Sequence, residues 1–204
     1  MSWTGVSFPC DAASIEGWCE ALEGDLAWLD SAIGEGRRGR RSLVALETTP
    51  LLTWHPDEGR YVLHDPIAGT TTLLPPIDLA PEAPWRAIDD LIRAWRADEA
   101  LRGYPAGLVG FISYEGAQLF DPSLPAREHI VPPLAFHLVT AGLVGEHDQG
   151  STRYRLVACG DARHDAHARL HRWTHWLDAH RAPPLETPET EPLEIVEDAF
   201  PPLF

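Results

Sequence analysis

Four histidines, His164, His167, His171 and His175, recur at helical spacing in the last third of the chain. At about 100° per residue they form one stripe, apart from a second stripe of Ala166, Leu170, Trp173 and Leu177. A pair such as His167 and His171 has the separation to chelate a divalent ion, but a catalytic zinc centre adds a third ligand and a base. The sequence indicates neither, so the stripe reads as a face turned to solvent or to a partner. Gly103, Gly107 and Gly110 lack the G-x-G-x-x-G spacing and the helix-opening context of a nucleotide loop, and there is no P-loop. Glycines inside an apolar strand read instead as close backbone packing or a bulge. No G-x-S-x-G elbow is present for a serine hydrolase. Asp30-Ser31 is the best small polar pair; on spacing alone it is equally a strand end that starts a turn. Cys10, Cys19 and Cys159 are odd in number and form no CxxC pair, which reads as buried or inert thiols. The chain has no lysine, and so no amine for a Schiff base.

The elements that would position these residues follow from periodicity. Ile15, Trp18, Cys19 and Leu22 define one helix face, with Gly24 as its stop. Leu26 to Leu29 reads as a short strand, and the Gly- and Arg-rich stretch from Ile33 to Arg41 as a loop. Ser42 to Thr49 is β-prone up to Pro50, and the stretches 51–55, 60–64 and 70–74, separated by turn residues, form a β-meander signature. A helix carries the stripe Trp85, Ile88, Leu91, Ile92 and Trp95, with Pro84 in its first turn. Ala106 to Ser113 is a near-continuous apolar run, which predicts a buried strand, and Tyr114 to Phe120 a short helix ended by Asp121-Pro122. Residues 134–146 and 153–159 predict a long hairpin, and 161–180 a helix.

The 204 residues, 44% hydrophobic, can bury a sizeable core. A net charge of −15 argues against a nucleic-acid partner, because phosphate neutralisation needs a basic surface and the one compact basic cluster is Arg37, Arg38, Arg40 and Arg41. The first ten residues lack the basic and apolar regions of a signal peptide, and no stretch is long enough to span a bilayer. These features predict a soluble, cytoplasmic protein. The expected fold class is α+β, with mostly antiparallel β-sheets packed with helices. Residues 1–181 read as the folded domain and 182–204, rich in Pro and Glu, as a linker.

Three segments carry a resemblance. Residues 26–32, Leu-Ala-Trp-Leu-Asp-Ser-Ala, resemble the Leu-(Leu/Asp/Glu)-Ser element of component I of the anthranilate synthase and aminodeoxychorismate synthase family. Residues 40–45, Arg-Arg-Ser-Leu-Val-Ala, resemble the Arg-Tyr-Ser-Phe-Ile-Gly element that follows it. Residues 107–115, Gly-Leu-Val-Gly-Phe-Ile-Ser-Tyr-Glu, continuing to Leu119-Phe120-Asp121, resemble the family's Gly-x-x-Gly-Tyr-x-x-Tyr-Asp…Phe-Glu segment, the most specific of the three. All three belong to the amino-terminal, non-catalytic domain of that family.

The resemblance implies half of a two-part β-sandwich core and a tryptophan pocket lined by Leu29, Asp30, Ser31, Arg41, Ser42 and Leu43. It implies no catalytic residue, metal ligand or cofactor in this chain. In the complete enzyme, Mg2+ and chorismate bind a carboxy-terminal chorismate-binding domain, and a glutamine amidotransferase subunit supplies ammonia. It thus implies a truncated or excised chain, inactive alone, with L-tryptophan as its ligand. Asp30 in place of Glu, and Arg41 and Leu43 in place of Tyr and Phe, favour the aminodeoxychorismate (p-aminobenzoate, folate) branch. Two alternatives stay open: the anthranilate (tryptophan-synthesising) branch, and a stand-alone small-molecule or metal-binding protein.

Overall fold

The computed structural model describes residues 3–10, 12–22, 27–29, 41–97, 103–113, 116, 119, 121, 132–148 and 151–181. They form an α+β fold of two antiparallel sheets packed with three helices. The strands are β1 (Trp3–Ser7), β2 (Ala27–Leu29), β3 (Arg41–Pro50), β4 (Leu52–His55), β5 (Arg60–Asp65), β6 (Thr70–Leu73), β7 (Leu108–Ile112), β8 (Leu134–Asp148) and β9 (Ser151–Cys159). The helices are α1 (Ala12–Ala21), α2 (Ala83–Ala97) and α3 (Ala166–Ala179). No helix among the described residues is long and apolar enough to cross a membrane.

The larger sheet runs β1-β9-β8-β3-β2, and β7 pairs with the first half of β8. Its spine is the β8–β9 hairpin, whose apolar content comes from Leu143, Val144, Leu156 and Val157, all buried. The helices α1 and α3 cover one face. Phe8, Ile15, Trp18, Val44, Leu46, Leu143, Leu156 and Leu177 form the core there, and Trp18 Nε1 donates to the carbonyl of Leu177 at 3.0 Å, tying α1 to the end of α3. The helix α3 starts where the Asp165 carboxylate accepts from the backbone N–H groups of His167 and Ala168.

The smaller sheet is the meander β4-β5-β6. A 3-10 turn, Pro56–Glu58, joins its first two strands and ends at Gly59 with φ of 57°. The amphipathic stripe of α2 packs on this sheet through Ile88, Leu91 and Trp95, and the same core takes in Tyr61, Leu134 and Leu138. The Tyr61 hydroxyl donates to the Leu134 carbonyl and accepts from the Leu134 N–H, so it pins the smaller sheet to the start of β8.

Two sequence expectations change here. The run 106–113 was expected to be a buried strand, but β7 is the shorter Leu108–Ile112, with Phe111 50% and Ile112 48% exposed. Among the described residues it pairs along one edge only, with β8, so apolar composition on both faces did not translate into cover on both. The strand β1 carries no alternating pattern in Trp-Thr-Gly-Val-Ser and was not expected; its register against β9 comes from tertiary pairing. Most of the expected helix 114–120, the loop 33–40 and the linker 182–204 lie outside the described residues.

Candidate functional site

The pairing of β2 with β3 sets Leu29 directly opposite Leu43. Successive strand residues point to opposite faces, so Leu29, Arg41 and Leu43 share one face and Ser42 lies on the other. Leu29 is 57% exposed and Ser42 is buried. The Ser42 hydroxyl lies 2.6 Å from His147 Nε2, a diagonal contact to β8, where Ser42 registers with Gly145. Arg41 and Glu146, directly opposed, form a loose, exposed ion pair at 3.9 Å. Asp30 and Ser31 lie outside the described residues. Of the six expected pocket residues, three therefore share a surface and one faces away from it.

The strongest polar assembly is elsewhere, and composition gave little sign of it. The β3–β8 register shifts on both sides of Glu47. Strict alternation would put Glu47 on the face of Leu43 and Ala45; the irregularity turns it with Leu46 toward α3, as bulges re-aim side chains. There Glu47 accepts from Arg169 Nε at 3.0 Å and from Trp173 Nε1 at 2.8 Å, and pairs with Arg172. Arg169 is buried, and its other nitrogens donate to Asp161 Oδ2 at 2.6 Å and to the Cys159 carbonyl. Burial pushes the Glu47 carboxyl up, but the Trp173 hydrogen bond and the charges of Arg169 and Arg172 outweigh it, and the net shift is downward. Asp161 is likewise raised by burial and lowered more by Arg169 and by the N–H groups of Arg163 and His164. Every strong partner in this cluster is internal, which makes it a clamp between β3, β9 and α3. The sequence clue was an arginine among Ala166, Leu170 and Trp173 on the apolar side of the helix.

The helix expected over 161–180 starts only at Ala166, after the Asp165 cap, so His164 lies before α3 beside Asp161 and only His167, His171 and His175 form a stripe on its outer side; all four histidines are exposed. Among the described residues no three His, Cys, Asp or Glu side chains are grouped to hold a metal ion. Burial pushes the Cys159 thiol up to about 11. Gly110 bears out the close-packing expectation: a Cβ there would stand 2.2 Å from the Ala135 carbonyl oxygen and 2.7 Å from the Phe136 ring, its cross-strand partner. Gly107 instead carries a φ of 65° at the turn into β7.

Two cavities of about 440 Å3 lie between elements. One is bounded by polar residues, among them Glu47, Thr53, His64, Asp65, Asp161 and Arg169, between the two sheets and the start of α3. Its His64 bonds Thr53 at 2.8 Å and is held below the usual histidine range by burial and by His55. The other is apolar and lies between the end of α2 and the β7–β8 pair, lined by Ile92, Trp95, Arg96, Tyr104, Leu108 and Leu138. Volumes of this size accommodate small organic ligands. No protein-family model matches the chain, and no curated protein matches it.

Proposed function

We propose that this chain is the non-catalytic amino-terminal scaffold of an aminodeoxychorismate synthase component I, which acts in the cytoplasm with a chorismate-binding half. The observation that carries the reading is β7. It comes from the most family-specific segment of the sequence, and it offers Phe111 and Ile112, half exposed on its two faces, as apolar surface for a partner to cover. Exposed apolar surface of this kind marks interaction sites. On this reading Mg2+ and chorismate belong to the other half, ammonia comes from the glutamine amidotransferase subunit, and 182–204 is a linker. L-Tryptophan would lie against Leu29, Arg41 and Leu43, while Ser42 supports the strand through His147. The anthranilate branch would use the same scaffold.

The test mixes the purified chain with a separately expressed chorismate-binding half of an aminodeoxychorismate synthase. Chorismate, Mg2+ and ammonium should give aminated product with the mixture at a rate above that of the half alone, and none with this chain alone. Product from this chain alone, or no complex with the half by sedimentation, overturns the reading. A stand-alone small-molecule-binding protein is the second reading, favoured by the apolar cavity beside Arg96.

A further inference from the structure

The apolar cavity has walls of a particular kind. Ile92, Leu108 and Leu138 are aliphatic, and Trp95 and Tyr104 add two aromatic rings. The polar atoms of both rings are committed to the protein. Trp95 Nε1 donates to Asp65 Oδ1 at 3.3 Å, and the Tyr104 hydroxyl donates to the Val139 carbonyl at 2.7 Å. Burial keeps the Tyr104 phenol neutral by pushing its pKa up. Each ring is thus held in place by its tip and offers its carbon framework to the cavity. Gly103 and Gly107 line the cavity with φ of 77° and 65°, and a Cβ built on either meets nothing within 4 Å. The backbone there leaves open space.

Among the described residues, one charged side chain, Arg96, borders this apolar volume. The other arginines of α2 have carboxylates one turn earlier: Arg86 pairs with Glu82 at 3.5 Å and Arg93 with Asp89 at 2.7 Å. Arg96 has Ile92 at that position, and among the described residues it has no ion pair. The cavity bounded by polar residues differs, since its Glu47, Asp65, Asp161 and Arg169 already bond one another or backbone N–H groups. A ligand there would compete with partners already in place; a ligand at Arg96 would not.

We propose that the cavity between the end of α2 and the β7–β8 pair binds a small apolar monocarboxylate, with its hydrocarbon or aromatic body against Trp95, Tyr104 and Leu138 and its carboxylate at Arg96. The guanidinium fork matches a carboxylate in two parallel hydrogen bonds. The apolar walls supply the affinity and the arginine the choice of charge, the usual division in sites of this size. The site is separate from the β2–β3 surface and does not depend on the scaffold reading.

Phenylacetate and its neutral isostere phenylacetamide are the probes, titrated into the full 15N-labelled chain and followed by amide chemical shifts and calorimetry. Phenylacetate should bind saturably and shift the amides of Gly103, Gly107 and Leu108. The amide, and phenylacetate on the Arg96→Gln variant, should bind roughly tenfold more weakly, the size of effect one charge-assisted hydrogen bond carries. Arg96→Lys should recover part of that loss. Arg96 is an exposed helix residue, so both variants should keep the wild-type spectrum elsewhere. No saturation by about 20 mM phenylacetate, weaker than any useful pocket affinity, overturns the proposal. So do equal affinities for acid and amide, an unchanged affinity in Arg96→Gln, or shifts confined to residues away from the cavity.

Discussion

Replacing Arg169 by Met isolates the charge of the clamp, because the thioether fills much of the volume of the arginine stem. The arginine side chain is 1% exposed, and it serves Glu47, 23% exposed, and Asp161, 8% exposed, together with the Cys159 carbonyl. Breaking a buried pair costs about 3–5 kcal/mol because the remaining charge is uncompensated. Glu47 retains Arg172 and Trp173, and Asp161 retains two backbone N–H donors, which places the loss near the lower end. The expected destabilisation at neutral pH is about 3–4 kcal/mol, or roughly 6–16 °C in Tm for a chain of this size. Both carboxyls are lowered in the folded protein. Their contribution is therefore full above the unfolded carboxylate pKa of about 4, and is lost as pH falls through the depressed folded values. In Arg169→Met the same buried carboxyls have lost their main cation, so protonation relieves them. The gap between wild type and variant should be widest at neutral pH and narrow on acidification. Urea unfolding followed by tryptophan fluorescence, at neutral pH and at about pH 4 where unfolded carboxylates titrate, measures it. A loss under about 1 kcal/mol, the size of an exposed ion pair, would refute the reasoning, as would a gap that stays constant or widens in acid.

Gly110→Ala should destabilise by about 1–3 kcal/mol, the usual cost of overpacking, because the new methyl meets the Ala135 carbonyl, a backbone atom that can move only with the strand; an unchanged urea midpoint would show that β7 shifts freely. Cys159 is fully buried and raised to about 11, so iodoacetamide at neutral pH should leave it unmodified in the folded chain and alkylate it in urea, read by peptide mass. Self-association through the half-exposed β7 surface should increase with salt, since a net charge of −15 opposes it and salt screens repulsion beyond about 10 Å at 0.1 M. Sedimentation velocity at low and high salt measures this, and a clean monomer throughout would remove β7 as a docking surface.

Periodicity alone was enough to determine most of the elements. The stripes of α1, α2 and α3, the β8–β9 hairpin and the meander β4-β5-β6 are local patterns, since a 3.6 or 2.0 repeat is written in consecutive residues. So is the placing of His167, His171 and His175 on the outer face of α3, though not that of His164, which precedes the Asp165 cap. What the chain order could not state is which surfaces meet. Leu29 faces Leu43, and Ser42 faces away toward His147, only because β2 and β8 flank β3 in a particular register. Glu47 reaches Arg169, 122 residues away, because an irregularity in β3 breaks the alternation that sequence reading assumes. The apolar cavity joins α2 to strands that follow it at a distance, and Trp95 and Tyr104 become its walls only once Asp65 and Val139 hold their polar tips. Helices and strands are encoded by neighbours in the chain; clamps and cavities are made by residues that become neighbours only on folding.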